Sequence, residues 1–123
     1  MNDLDGLARD LHRAAKEVRE AAHGVVKRGA VNVKRDWRSN ATRSAGRHAR
    51  RYPYSIGFDV TARGVDPIIA EIGPDKAATQ GPLGNLLEFG SVNSPPHSDG
   101  GRALRAEEPR FYAAMEKAVG ELL

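Results

Sequence analysis

The chain contains no cysteine, which removes disulfides, thiolate nucleophiles and cysteine zinc sites from consideration. It also lacks any long apolar run; nothing approaches the roughly eighteen consecutive apolar residues of a membrane span. No membrane partner is therefore expected. Aromatic residues are scarce at 6%, and hydrophobic residues make up 40% of 123 positions. That supply predicts one domain, 1–123, with a modest core of the kind often completed by burial against copies of itself. The opening Met1-Asn2-Asp3-Leu4-Asp5 is acidic and has no signal-peptide pattern.

Catalytic and metal-binding patterns are missing as well. The histidines are His12, His23, His48 and His97, and none belongs to a ligand spacing such as His-Glu-x-x-His. There is no Gly-x-Ser-x-Gly elbow. Gly81-Pro82-Leu83-Gly84 lacks the Lys and Ser/Thr of a phosphate loop and is most simply a turn. Glu88 is a lone carboxylate, and without a positioned partner it defines no reaction. The expectation is a protein that is not an enzyme and uses no cofactor or metal.

What the chain does have is charge, unevenly placed. Residues 1–55 hold 13 Lys and Arg against 6 Asp and Glu, whereas residues 56–123 hold 6 against 10. The densest basic block comprises Lys27, Arg28, Lys34, Arg35, Arg38, Arg43, Arg47, Arg50 and Arg51, opposed only by Asp36. Such a block attracts phosphates, but it also suits a solvated helix face or a surface that meets an acidic neighbour. Trp37 lies among these bases. It could stack on a nucleic-acid base, although helical spacing favours a packing role.

Leu4, Leu7, Leu11, Ala14, Val18, Ala22, Val25, Gly29, Val33 and Trp37 recur at three- and four-residue steps. This narrow stripe predicts a long helix over about 1–45, capped by Asn2 or Asp3, with a basic C-terminal part. Gly24 and Gly29 mark either a kink or a close approach by another backbone. The pattern fades over 40–51, as a frayed helix end or a loop. Pro53 pushes Tyr52 toward an extended conformation. Tyr54, Ile56, Phe58 and Val60 then alternate with polar or small residues, and Ile68, Ala70 and Ile72 do the same, predicting a β-hairpin over 52–73. Residues 74–101 are loops around Leu86-Leu87-Glu88-Phe89, itself either a helical turn or a brief strand. Residues 102–123 form a C-terminal helix with Leu104, Phe111, Met115, Ala118, Val119 and Leu122 on one side. Pro109 belongs in its first turn, preceded by Glu107 and Glu108. The predicted fold class is α+β: a long N-terminal helix packed on a small antiparallel hairpin, with a C-terminal helix.

The order of these pieces resembles the tail-completion, or head–tail joining, family of long-tailed bacteriophages (the gene-product-ten-like group related to the Z protein of lambda). The corresponding pieces are Leu4 to Trp37, Tyr54 to Ile72, Leu87-Glu88-Phe89-Gly90-Ser91, Pro95-Pro96-His97 and Ala103 to Leu122. The actinobacteriophage branch is the most similar, through Val33-Lys34-Arg35-Asp36-Trp37, Ile72-Gly73-Pro74-Asp75-Lys76 and Glu108-Pro109-Arg110-Phe111. One departure concerns the approach to the last helix. His97-Ser98-Asp99-Gly100-Gly101 stands where many members have Pro-Phe.

The resemblance implies a structural protein of the virion, located in the tail or neck and assembled in the host cytoplasm. It implies a homo-oligomeric ring, a hexamer in the usual tail symmetry, that joins tail to capsid and lets DNA pass. Its partners would be neighbouring head-completion, tail-terminator or tail-tube proteins. Leu87, Glu88, Phe89, Gly90, Pro95, Pro96 and His97 become candidate assembly contacts, with Glu88 expected to meet a positive group, an Arg of the same or an adjacent subunit. The basic block would face DNA or a partner. The rival reading is a small basic nucleic-acid-binding module.

Overall fold

A computed structural model describes residues 3–91 and 95–123. Its elements, in chain order, are α1 (Asp3–Ser44), a 3-10 turn (Arg47–Ala49), α2 (Tyr52–Ser55), β1 (Ile56–Thr61), β2 (Ile69–Pro74), a second 3-10 turn (Gly81–Leu83), α3 (Gly84–Phe89) and α4 (Asp99–Gly120). The fold is α+β, with the long first helix packed on a two-stranded antiparallel sheet and on the last helix.

Helix α1 runs for 42 residues, about 63 Å at roughly 1.5 Å per residue. Asp3 and Asp5 occupy its first turn and Arg43 its last, as the helix dipole favours. The proposed cap Asn2 lies outside the described residues. Asn40 to Ser44, expected to fray or loop, stay helical because Asn40 and Ala41 are held by tertiary contacts. Ala41 is completely buried, and the Asn40 side-chain amide donates to the Asp99 carbonyl oxygen at 3.0 Å.

The hairpin begins later than the alternation suggests. Tyr52 to Ser55 form a helical turn, and the exposed Tyr54 belongs to it rather than to a strand. Pro53 sits in the first turn, where its missing N–H costs nothing. The reason Tyr52 is not driven extended lies 28 residues away: Gln80 Oε1 accepts the Tyr52 N–H at 3.1 Å and the Arg51 N–H at 2.6 Å. The Gln80 amide nitrogen also donates to the His48 carbonyl oxygen at 2.8 Å. Gln80 holds a left-handed φ of 64° to make these bonds. The next residue must be glycine, because a Cβ at Gly81 would overlap the Asp75 carbonyl. The strands pair Phe58 with Ile72 and Val60 with Ala70. These four are partly buried, while Asp59 and Glu71 opposite each other face outward.

The core is small and sits at the C-terminal end of α1. Ala41, Ala49, Tyr52 and Ile56 are buried together, with Trp37, Ala45, Ile72, Leu83 and Leu87 packed around them. A second contact runs along α1, where α4 lies antiparallel to it. At Gly29 the close approach is made by a side chain rather than by another backbone: a Cβ there would come within 3.2 Å of the Phe111 ring. Gly24 has nothing within 4 Å and plays no such part.

Helix α4 corrects the sequence reading most. It starts at Asp99, so Pro109 lies mid-helix rather than in the first turn. Phe111, Met115, Ala118 and Val119 are partly buried as expected, but Leu104 is 58% exposed and Leu122 41%. An interior proline costs a helix about 3 kcal/mol. The earlier start is sustained by groups outside the helix.

Candidate assembly junction

Those groups come from the Leu86–Gly90 block. It is α3, a single helical turn and a half, ended by Gly90 at φ 82° with its N–H on the Leu86 carbonyl oxygen. The turn has two opposite faces. Leu87 points into the core beside Tyr52, whereas Leu86 is 53% exposed and Phe89 75% exposed.

Glu88 reaches across to the start of α4. Its Oε1 accepts the Gly100 N–H and its Oε2 the Gly101 N–H, each at 2.9 Å. The first N–H groups of a helix have no partner within it and carry the positive end of the dipole, so a bidentate carboxylate satisfies both needs. Within the chain, the positive partner of Glu88 is the N-terminus of α4. Two backbone bonds reinforce the clasp: the His97 N–H donates to the Leu87 carbonyl oxygen at 2.7 Å, and the Ser98 N–H to that of Glu88 at 3.1 Å.

Asp99, which sequence reasoning passed over, is the other anchor. It is 1% exposed, and its carboxylate accepts from the Ser44 hydroxyl at 2.6 Å and from Arg102 Nη2 at 2.6 Å. A buried charge needs such pairing to be tolerated. Arg102 also donates to the His97 carbonyl oxygen at 2.6 Å. His97 Nδ1 lies 3.8 Å from Asp99 Oδ2, beyond hydrogen-bond distance, and is buried without a partner. Pro95 and Pro96 are exposed. Residues 92–94, which precede them, lie outside the described residues.

Trp37 closes the junction from below, in the packing role. A Cβ on Gly100 would fall 2.7 Å from three atoms of the indole, so glycine is what lets the helix start rest on that ring. The signal for this site was present as the Ser98-Asp99-Gly100-Gly101 run. An acid followed by two glycines marks a helix start at which another group comes close, but not which group. Nearby, burial pushes the Tyr52 phenol above its ordinary pKa. The Glu88 and Asp99 carboxylates act in the same direction.

The basic block contains both bound and exposed side chains. Arg38 is bound through Nε and Nη2 to the Ile56 carbonyl oxygen at 2.9 and 2.6 Å. Lys34 Nζ sits 5.4 Å from the centre of the Phe58 ring, a cation–π contact. Arg43 donates to Asn40 Oδ1 at 2.7 Å, and Arg35 pairs with Asp36. Lys27, Arg28, Arg47, Arg50 and Arg51 have exposed side chains. Asp36 is shared: Arg110 Nη2 approaches its Oδ2 at 2.9 Å and Glu107 Oε2 at 3.0 Å, while Asn32 donates to Glu107 Oε1 at 3.0 Å. The buried Glu107 thus ties α4 to the middle of α1.

Among the described residues, no three His, Asp or Glu side chains are grouped so as to hold a metal ion. Nor is any described helix long and apolar enough to cross a membrane. In comparisons with known proteins, no family model, no curated protein and no solved structure matches this chain.

Proposed function

We propose that this chain is a non-catalytic structural protein of the head–tail junction of a long-tailed bacteriophage, acting as a ring that joins tail to capsid and lets DNA pass. The observation that carries the reading is the ordered set of motifs around Leu87-Glu88-Phe89-Gly90. The division of labour within that block supports it. Leu87 and Glu88 are used inside the chain, while Phe89 at 75% exposure and Leu86 at 53% display an apolar pair with no internal role. Exposed aromatic and aliphatic groups on a rigid element suit an assembly contact. The exposed bases Lys27, Arg28, Arg47, Arg50 and Arg51 suit non-specific phosphate contact with sliding DNA, which needs no base readout. Electron microscopy of particles made without the protein tests the proposal. Separated heads and tails are expected, and normal infectious particles would refute it.

The same exposed bases favour the second reading, a nucleic-acid-binding module. That reading predicts duplex binding by the isolated chain, weakening steeply with salt. An anisotropy titration at low salt with no association would exclude it.

A further inference from the structure

The first four turns of α1 bury no apolar side chain. Helix α4 ends beside Glu17, Glu20 and Ala21, where Ala118, Glu121 and Leu122 form a shallow cleft with them. From Asp3 to Glu17 every described residue except Gly6 is exposed, including Leu4 at 73%, Leu7 at 54% and Leu11 at 62%. These leucines continue the stripe that α4 covers from Val18 onward. Apolar stripes of this kind are buried somewhere when a protein is at work.

The body of the same chain offers a place for them. A groove of about 470 Å³ lies between α1, the β2 side of the hairpin and α4, walled by Val26, Ala30, Val33, Ile68, Ile72 and Phe111. Leu104 and Tyr112, 58% and 60% exposed, stand on its rim. Along α1 the groove extends from Val26 to Val33. Leu4 to Leu11 is a segment of the same length, about 10 Å at roughly 1.5 Å per residue. Its leucines have the i, i+3, i+7 spacing by which an amphipathic helix fills an apolar groove. A straight helix cannot fold back onto its own body, so the occupant comes from outside the chain, and a second copy carries a stripe of matching length and spacing.

We infer that the Leu4–Leu11 stripe of one copy docks in the Val26–Val33 groove of the next. This deepens the ring proposed above and rests on it for closure, but not for the contact. The contact is head-to-tail, with each copy giving an arm and receiving one; such contacts close into rings when the rotation allows. Along its roughly 10 Å the contact is short, below the size of a standard interface, and each copy makes it twice, once as arm and once as groove. Pairing of arm with arm is the weaker alternative. Asp3, Asp10 and Glu17 line one flank of the stripe at seven-residue steps, and antiparallel arms would set these acids against each other. Ala8 and Ala15 line the other flank and let the helix axis come close to its host.

The absence of native cysteine makes the test direct. Full-length Leu7→Cys and Tyr112→Cys chains are mixed and oxidised. A Leu7–Tyr112 disulfide in the mixture, with neither variant cross-linking alone, is the expected result. Cross-linking of Leu7→Cys with itself assigns the stripe to an arm–arm pair and overturns the inference. A mixture that gives no cross-link overturns it too. In parallel, Leu4→Ser/Leu7→Ser/Leu11→Ser should weaken self-association by at least about tenfold, with thermal unfolding of the subunit unchanged. Native mass separates the two proposals. A cross-linked open series of masses supports the contact and sinks the ring. A closed ring that the triple variant leaves intact keeps the ring and sinks the contact.

Discussion

The two ends of α1 are one continuous helix with opposite relations to the rest of the chain. From Val18 to Ser44 it is gripped on two sides. Val25, Gly29, Ala30 and Val33 are buried along it and Ala41 is buried with Ala49, Tyr52 and Ile56, while Asn32, Asp36, Arg38, Asn40 and Ser44 each bond to a residue on another element. From Asp3 to Glu17 it carries the same kind of apolar stripe and buries none of it. The difference teaches that a stripe is only an offer of packing. Whether it becomes core or interface depends on what the chain can bring against it. Here α4 is 22 residues long against 42 in α1, so it can cover little more than half of the longer helix.

Substitutions can break that contrast or sharpen it. The largest effect should come from Tyr52→Ala, which empties the centre of the core at a site 1% exposed. A loss of about 3–5 kcal/mol of folding stability is expected in urea titrations of the subunit. Next comes Glu88→Ala, which strips the two N–H bonds from the start of α4. Here a loss of about 2–3 kcal/mol is expected, with faster amide exchange at Gly100 and Gly101. If instead assembly falls while stability is untouched, Glu88 acts between subunits and not within them.

A third effect is confined to alkaline pH. The raised pKa of Tyr52 means that the unfolded phenol ionises first, near its ordinary 10.0, while the folded phenol keeps its proton. The unfolded state then binds fewer protons, so stability present below pH 10 falls as pH rises from there through the folded-state value. Tyr52→Phe should flatten that fall, as measured by denaturation at pH 9 and pH 11. The smallest effect belongs to the arm. Leu7→Ser should change subunit stability by no more than about 0.5 kcal/mol, measured at concentrations where copies are dissociated. A larger loss would mean that the arm is part of the folded body after all.

Much of the fold was legible from periodicity, for physical reasons that can be named. The α1 stripe and the alternation over Ile56–Val60 are local patterns, and burial of one face follows from them directly. The boundaries that went astray share a cause: each depends on a side chain far away in sequence. Tyr52 stays helical because of Gln80. Asn40 to Ser44 stay helical because Asp99 and its carbonyl bind them. Pro109 and its acids are a sound local signal for a first turn in a helix over 102–123, but Glu88 caps the helix from another element, so that it starts at Asp99 and Pro109 lies ten residues inside it. The site was half legible. Leu87, Glu88 and His97 do converge, whereas Asp99, Ser44 and Gln80 carried no pattern that pointed to one another. Within the basic block, Lys34 and Arg38 are used inside the fold, on Phe58 and Ile56, which charge counting along the chain does not show.

By itself, the sequence determined the α+β class, the long helix, the hairpin register face and the amphipathic last helix, because these follow from side-chain period and turn chemistry within short windows. Tertiary structure decided which apolar residues are core and which are left outside. It also decided where α2 and α4 begin, and that Glu88 serves as a helix cap. Those outcomes turn on hydrogen bonds and close approaches between residues distant in the chain, and such contacts exist only once the helices and hairpin have met.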